Sequence, residues 1–438
     1  MRRTLILLAL ASHLVAQERL GTLVFPNSGK PEAQQAFIRG VAALHNFWYD
    51  EAAESFREAE RIDPNFALAY WGEAMTYDHP IWHEHDAAGG IAAVKKITAP
   101  PADARERMYV DAAHALFENG DYESAMRKLA HSYPDDVEAQ TFYALAILGT
   151  MHHDAGDERK QIRAAAILEP LLPSHPDHPG VLHYMIHAYD DPIHAPLGER
   201  AARRYARVAA AAPYALHMPS HIFLQLGMWD DAARSNEQAY AASKEWVTRK
   251  KMPSSKRDLH SLSWLQYVYL QQHRFDDAKK LIDEANGDSE HEKMIADRMH
   301  ARYAIETGDL SALATLAKTL PHGTDRDAKI AEATSLEAKA LEAKSMDESL
   351  ALLAKAVALE DAIGAPSGPP EIFKPAHELY GEMLLKAGRA KEARAQLEES
   401  LLRTPGRRLT VEALARVSAA SGSTARPTAS PDRIPAGR

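Results

Sequence analysis

Histidines at helical spacing are the residues of this 438-residue chain best placed to do chemistry. His183 and His187 are four residues apart, and so are His217 and His221. Residues four apart lie on the same face of an α-helix, so each pair could present two imidazoles to one point. An acidic residue, Asp190, lies between the two pairs. This pattern is compatible with a metal or ligand site on a helical scaffold and equally with a histidine-rich packing surface.

The composition restricts the kind of metal that such a site could bind. The chain has no cysteine, so any metal must be held by nitrogen and oxygen ligands. Imidazole favours late first-row ions, which gives zinc, copper or iron as the possible transition metal. Two histidine pairs suit four nitrogens, or three nitrogens and a water. Asp190 could be a further ligand or could accept a ring N–H, and His260 is a further candidate ligand.

Other catalytic patterns are absent from the sequence, which contains no HExxH, GxSxG, GxxxxGK[ST] or GxGxxG motif. The formal charge of -10 indicates that the chain does not bind nucleic acid, since phosphate binding needs clustered excess lysine and arginine. No run after the N-terminus is apolar and long enough to span a bilayer. The sequence motifs therefore do not decide whether the chain is an enzyme.

The N-terminus has the pattern of a secretory signal peptide over residues 1–16. Arg2 and Arg3 form the charged part, Leu5 to Leu10 an apolar core, and Leu14 to Ala16 a cleavage site. An ordinary first helix would have polar residues at a 3.6-residue period, and the polar residues of this stretch do not follow such a period. We therefore expect a periplasmic or secreted protein.

Repeated helix pairs account for most of the remaining chain. Residues 33–66 are typical of two amphipathic helices joined by a short turn. Small residues at Gly40 and Ala52 would let the helices approach, Phe56 would fill the gap, and Pro64 would end the second helix. The same pattern recurs along the chain and is clear again in residues 374–407, with Gly381 in phase.

Residues 33–407 resemble the tetratricopeptide repeat (TPR) family in these positions. The segments HPGVLHYMIHAYDDPIHAPLG and HMPSHIFLQLGMWDDAARSNE are also similar to those of secreted bacterial repeat proteins, a likeness that implies no particular activity. Family membership implies an all-α fold, a right-handed superhelical solenoid of antiparallel helix pairs. The first helix of each pair would line a concave groove, and such grooves commonly bind a protein or peptide.

The expected layout follows from the repeats and from the segments that interrupt them. It comprises the signal peptide at 1–16, a helical repeat array with inserted loops at 33–361, a Pro/Gly-rich linker at 362–375, a C-terminal repeat unit with a capping helix at 376–420, and a disordered tail at 421–438.

The TPR resemblance also implies which side chains would face the groove. Counted along the repeats, His183, Asp190, His217, His221 and His260 occupy groove-facing places, and His187 lies one place from such a position. The expected groove-binding residues outside the metal candidates are His45, His79, Tyr184 and Tyr267.

Two functions follow from this arrangement. The first is binding of a protein or peptide partner in the concave groove. The alternative is a metal-binding protein or metal-dependent enzyme that uses the groove histidines of the fourth to sixth repeats. A groove lined with histidine, tyrosine and aspartate suits hydrogen bonding to a peptide as well as it suits a metal ion.

Overall fold

The computed structural model describes residues 19–151, 158–309, 326–364, 366, 368 and 372–420. The predicted signal peptide (1–16) and the predicted disordered tail (421–438) lie outside these residues. The chain forms two compact units. Unit 1 comprises the residues up to Ile222 together with Arg234–Ser261, and unit 2 comprises Phe223–Ala233 and the residues from Leu262 onward.

Unit 1 begins with helices that alternate with short turns and one small hairpin. Its elements are α1 (Pro31–His45), α2 (Tyr49–Ile62), α3 (Ala67–Met75), β1 (Asp78–His79), β2 (Glu84–His85), α4 (Ala87–Val94), α5 (Ala104–His114), α6 (Tyr122–Ser132), α7 (Val137–Leu148), α8 (Glu158–Leu168), α9 (Pro179–Ala188), α10 (Ala195–Val208) and α11 (Pro213–His217). A π-helical turn, Ala115–Asn119, continues α5.

Three helices contribute residues to both units, and the rest belong to unit 2. The shared helices are α12 (Pro219–Gln225), α13 (Trp229–Lys250) and α14 (Leu259–Gln271). Unit 2 continues with α15 (Phe275–Ala285), α16 (Glu290–Thr307), α17 (Arg326–Glu342), α18 (Met346–Ile363), α19 (Ala376–Lys386), α20 (Ala390–Arg403) and α21 (Arg408–Ala420).

Helices that follow each other in the chain pack as antiparallel pairs within each unit. In unit 1, α1 packs on α2, α7 on α8 and α9 on α10, and in unit 2, α17 packs on α18 and α19 on α20. The only strands in the described residues are the two-residue β1 and β2. The predicted all-α fold of TPR-like helix pairs is therefore confirmed. None of the described helices is long and apolar enough to cross a membrane.

Small residues allow the close packing that the repeat pattern predicts. A Cβ atom added to Gly40 would lie 2.8 Å from the Phe56 ring, and one added to Gly72 would lie 2.3 Å from it. Phe56 and its neighbour Ala52 are fully buried. In unit 2, a Cβ on Gly381 would similarly lie 2.7 Å from Leu397. A methyl group at these glycines would force the helices apart.

Four turns between consecutive helices share one backbone geometry. In these four, the second residue after the first helix has a positive φ and the next N–H bonds back across the turn. Gly227 and Gly388 hold this position with φ of 69° and 77°. Phe47 and His273 hold it as non-glycine residues, with φ of 53° and 58°. The left-handed region costs a non-glycine residue about 1–2 kcal/mol, so these two turns are strained.

The Pro/Gly-rich segment 362–375 is described only in part, and the domain boundaries proposed from the sequence stay predictions. Residues 78–85 form the small antiparallel hairpin of β1 and β2, in which Asp78 pairs with His85 and His79 with Glu84. The reason is local, because each of these cross-strand pairs joins a carboxylate to an imidazole nitrogen, at 2.7 and 2.8 Å.

Candidate functional site

Both histidine pairs adopt the arrangement that their spacing predicts, and both lie in unit 1. His183 and His187 are on α9, with their Nε2 atoms 3.1 Å apart. His217 ends α11 and His221 lies on α12, with their Nε2 atoms 3.0 Å apart. The helix breaks between α11 and α12 because Pro219 has no N–H, but Met218 keeps a helical conformation. The i, i+4 relation therefore survives the break.

The four imidazoles are buried rather than exposed. His183 and His217 have no exposed surface, His221 is 4% exposed and His187 is 9% exposed. Buried polar rings require hydrogen-bond partners or a bound ion, because an unsatisfied buried group is costly. The contacts of the second ring nitrogen therefore decide which chemistry the cluster can perform.

Oxygen atoms accept the Nδ1–H of three of these rings. His183 donates to the backbone carbonyl of His45 at 2.6 Å, and His221 donates to the carboxylate of Asp190 at 2.6 Å. His217 donates to the side-chain oxygen of Asn236, also at 2.6 Å. An Nδ1–H that is engaged in this way leaves Nε2 as the acceptor nitrogen of a neutral imidazole. Metal-binding histidines are oriented by the same kind of contact.

Two acceptor nitrogens 3.0 Å apart repel each other unless a cation lies between them. In His217 and His221 both Nδ1 positions are occupied by donation to oxygen, so the facing Nε2 atoms must share a proton or a metal ion. Two nitrogens bound in cis positions at about 2.0–2.1 Å from one ion would lie about 3 Å apart. The observed distance fits this spacing.

His260 joins this pair. The ligand atoms of His217, His221 and His260 all lie within 4.8 Å of one another. The rings of His217 and His260 have centroids 4.7 Å apart. His260 is exposed, so this side of the group reaches the surface. His183 and His187 are not members of this group of converging atoms, although the half-buried ring of Tyr214 lies 5.6 Å from His183 and 5.9 Å from His217.

Burial keeps these imidazoles neutral. It lowers the pKa of His183 to about 3, and the neighbouring charges of His45 and His221 act in the same direction. Burial also lowers the pKa of His217 well below its ordinary value. The electrostatic effect of the His260 and His221 imidazoles acts in the same direction. Since only neutral imidazole binds a metal, the two rings are in the ligand form at neutral pH.

The two aspartates between the pairs have different roles. Asp190 is buried and orients His221, which corresponds to the predicted alternative of a ring N–H acceptor. Asp191 accepts the backbone N–H groups of Ile193 and His194 at 2.8 and 2.9 Å and thereby closes the turn before α10. Asp191 therefore shapes the loop rather than the histidine cluster.

A second cluster, His45, Glu138 and His178, lies next to the pair on α9 and is entirely buried. His178 Nδ1 accepts the N–H of Val181, so its Nε2–H donates to Glu138 at 2.9 Å. His45 Nε2 contacts the other carboxylate oxygen at 2.7 Å. Because His178 already uses Nδ1 as an acceptor, its Nε2 could bind a metal only as an imidazolate.

This second cluster is therefore a hydrogen-bonded support. Burial raises the pKa of Glu138, but the facing His178 and His45 outweigh it and lower the pKa to about 2. The ionised carboxylate holds the His45 ring, which also contacts the hydroxyl of Tyr184 at 2.9 Å. The backbone carbonyl of His45 in turn orients His183. The network links α1 and α7 to the position of a cluster histidine.

The four expected groove-binding residues fall into two environments. His45, Tyr184 and Tyr267 have no exposed surface, and Tyr267 contacts Arg407 within unit 2 at 2.8 Å. His79 is partly exposed and stacks on Tyr49 with ring centroids 3.9 Å apart. Of these four residues, His79 alone has surface that a partner could contact in this conformation.

His79 and Tyr49 line a cleft of about 740 Å³ in unit 1. Trp246 and Lys250 of α13 also line the cleft, and Arg57 contributes a further cation. Glu54 is another lining residue, so charges of both signs lie at the surface of the cleft. The volume is within the range of ligand-binding pockets.

Comparisons with known proteins give likenesses of fold only. No family model matches the sequence, and no curated protein sequence matches it. Among solved structures, the chain is similar to the APC/C hetero-tetramer Cut9–Hcn1 at 14% identity, over 94% of this chain and 81% of that chain, with a TM-score of 0.40. It is also similar to the human IFIT1 dimer with m7Gppp-AAAA at 13% identity, over 89% and 93% of the two chains, with a TM-score of 0.42.

A third similar structure is the TPR domain of P58(IPK), at 11% identity over 89% of this chain and 98% of that chain, with a TM-score of 0.24. None of these likenesses identifies a function for this chain.

Proposed function

We propose that this helical-repeat protein binds a late first-row transition metal through the Nε2 atoms of His217, His221 and His260. The observation that carries the proposal is the 3.0 Å approach of two Nε2 atoms whose Nδ1–H groups both donate to oxygen. Three imidazoles with a fourth position for water form a common zinc site, and copper and iron also favour imidazole. Asp190 and Asn236 would fix the ring orientations.

Metal analysis of the purified protein tests the proposal. The full chain is produced without a polyhistidine tag, reconstituted with zinc or copper, dialysed, and measured by mass spectrometry. We expect close to one equivalent or more per chain in the wild type and about one equivalent less in His217→Ala/His221→Ala. The matched control, His131→Ala/His291→Ala, removes two exposed histidines outside the cluster and should retain the metal. A wild type without bound metal after reconstitution would exclude the proposed function.

A second candidate function is the binding of a protein or peptide, which the cleft of unit 1 favours. Aromatic surface at Tyr49 and Trp246 combined with charges of both signs is suited to side chains of an extended peptide. Here the contacts would come from the cleft residues and His79 rather than from the buried histidine cluster.

Selection from a random peptide library tests this second function. Peptides enriched on the wild-type protein should bind Trp246→Ala at least about tenfold more weakly, as expected when a central aromatic contact is lost. Leu402, which is 72% exposed and is not among the residues that line the cleft, provides the control variant Leu402→Ala. Absence of enriched peptides, or equal binding by both variants, would argue against a peptide site in this cleft.

The predicted export from the cytoplasm is also part of the proposal. N-terminal sequencing of the protein from its native source should find a mature chain that begins just after Ala16. A mature protein that retains residues 1–16 would contradict the predicted periplasmic or secreted location.

A further inference from the structure

We infer that the histidine cluster binds two metal ions, the second between His183 and His187. This inference rests on the proposed metal-binding function and extends it from one ion to a dinuclear centre. It concerns the pair that is not part of the converging group of His217, His221 and His260.

The His183–His187 pair has the same internal geometry as the pair in the first site. Its Nε2 atoms lie 3.1 Å apart, against 3.0 Å for His217 and His221. This is again the spacing of two nitrogens in cis positions on one ion at bond lengths of about 2.0–2.1 Å. The His183 Nδ1–H is fixed by a backbone carbonyl, so its Nε2 is an acceptor that points toward His187.

Each pair is supported by different parts of unit 1. His183 is oriented by the carbonyl of His45, which the buried Glu138 network holds in place. The other pair is oriented by Asp190, which follows α9, and by Asn236 on α13. Since the acceptors described for the two pairs differ, removal of one pair should leave the described supports of the other in place.

The two pairs border the same phenol ring. Tyr214 lies 5.6 Å from the ring of His183 and 5.9 Å from that of His217, and it also packs 5.8 Å from Phe47. Ions held by the two pairs would therefore both lie beside this ring. An ion with two protein nitrogens keeps positions for water or for a small oxygen-donor ligand, and neighbouring ions commonly share such a ligand.

Carboxylates in the same region offset the charge of two cations. Asp190 is buried beside His221, and Asp190 and Asp258 both act electrostatically on the phenol of Tyr214. Ions held by two or three protein nitrogens keep open coordination positions. The expected ligand class is therefore a small oxygen donor, such as hydroxide, that bridges two histidine-bound ions.

Zinc stoichiometry tests the inference. The metal-free full chain is titrated with Zn²⁺ during equilibrium dialysis against a weak competing chelator, and bound zinc is measured by mass spectrometry. We expect two equivalents in the wild type and one in each of His183→Ala/His187→Ala and His217→Ala/His221→Ala. The exposed-histidine control His131→Ala/His291→Ala should bind two, which excludes surface binding as the source of either equivalent.

Each other outcome has a distinct meaning. One equivalent in the wild type would overturn the second site while leaving the proposed function intact, and none would overturn both. Two equivalents in the wild type that both remain in His183→Ala/His187→Ala would show that the second ion binds elsewhere and would also overturn the inference. The wild-type stoichiometry decides the matter even if a variant fails to fold, and circular dichroism identifies such a variant.

Discussion

Three histidines of the cluster, His183, His217 and His221, are oriented by the oxygen that accepts their Nδ1–H, and His221 has the only charged acceptor among these three contacts. Asp190 lies 2.6 Å from His221 Nδ1 and is 1% exposed. A buried carboxylate raises the basicity of the ring that donates to it and holds the ring in the metal-binding tautomer. The strength of metal binding should therefore depend on Asp190, although it binds no ion itself.

Asp190→Asn should weaken zinc binding by about 10- to 100-fold, because the amide keeps an acceptor oxygen but loses the charge. Competition with a chromophoric chelator measures the change. Asp177→Asn removes a half-exposed carboxylate paired with Arg204 and serves as the control. Equal zinc affinity for Asp190→Asn and wild type would contradict the role of this carboxylate.

Phe47 adopts a strained backbone beside the cluster. Its φ is 53° at a turn position that Gly227 and Gly388 occupy elsewhere. Its ring is buried and lies 4.4 Å from the ring of His183. Backbone strain of this kind persists where the surrounding structure requires the side chain, and such sites are often functional.

Phe47→Gly should destabilise the protein although it relieves the backbone strain. Loss of the buried ring lowers the free energy of unfolding by about 3–5 kcal/mol, and relief of the strained left-handed backbone raises it by about 1–2 kcal/mol. His273→Gly provides the matched control, because it makes the same backbone change at a part-exposed side chain and should leave stability unchanged or raised. Urea unfolding measures both variants. A Phe47→Gly protein as stable as wild type would show that the ring is not needed.

Residue spacing could predict the histidine pairs but not their supports. The i, i+4 rule is local, so the facing of His183 with His187 follows from the sequence. Asn236 and the carbonyl of His45 reach the cluster through tertiary packing, over 19 and 138 residues of sequence. No local pattern marks such contacts. The prediction placed the pairs at groove positions, whereas packing buries them.

Among the elements, the segment before α19 is anchored by a buried lysine. Lys374 is 7% exposed, and its Nζ lies 2.8 Å from Glu382 and 3.2 Å from Glu378. Although burial lowers the pKa of Lys374, these carboxylates and Glu306 outweigh it and raise the pKa. A buried cation among carboxylates holds the start of α19 in position.

Lys374→Met should destabilise unit 2 by about 3–5 kcal/mol, because it removes a buried cation and leaves Glu378 and Glu306 with Arg407 as their described partner. Lys386→Met, at the exposed last position of α19, is the control and should cost less than about 0.5 kcal/mol. Differential scanning calorimetry of the full chain compares the two. An equal effect of both substitutions would show that the buried ion pairs do not stabilise the unit.

The helix pairs were predictable because small residues recur where helices must approach. Gly40 and Gly381 are read from the sequence, and both contact a large side chain of the paired helix as the pattern requires. The hairpin at β1 and β2 was not predictable from this pattern, because its four residues pair through side-chain contacts rather than through alternating apolar residues. The buried position of Lys374 was not predictable either, because this residue lies in a segment rich in proline and glycine.

For the whole molecule, the buried titratable groups predict acid sensitivity. Burial lowers the pKa of His183 to about 3, and the pKa values of His217 and His45 are also lowered. The unfolded chain therefore takes up protons below pH about 6.5 that the folded chain does not, so stability falls as the pH decreases. Glu138, whose folded pKa is about 2 against an ordinary 4.5, adds a loss in the same direction below pH about 4.5.

In the presence of EDTA, the urea midpoint should be constant above pH about 7 and should fall between pH 6.5 and 5. Each buried imidazole contributes at most about 1.4 kcal/mol per pH unit in this interval. His183→Leu should show a smaller decrease than wild type. A midpoint that stays level or rises from pH 7 to pH 5 would contradict the neutral state of the buried histidines.

Anomalous diffraction tests the central claim most directly. A crystal of the metal-reconstituted full chain is measured on both sides of the absorption edge of the bound metal. The account predicts an anomalous peak about 2.0–2.2 Å from the Nε2 atoms of His217, His221 and His260. No peak at these three nitrogens, or a peak only at exposed histidines elsewhere, would contradict it.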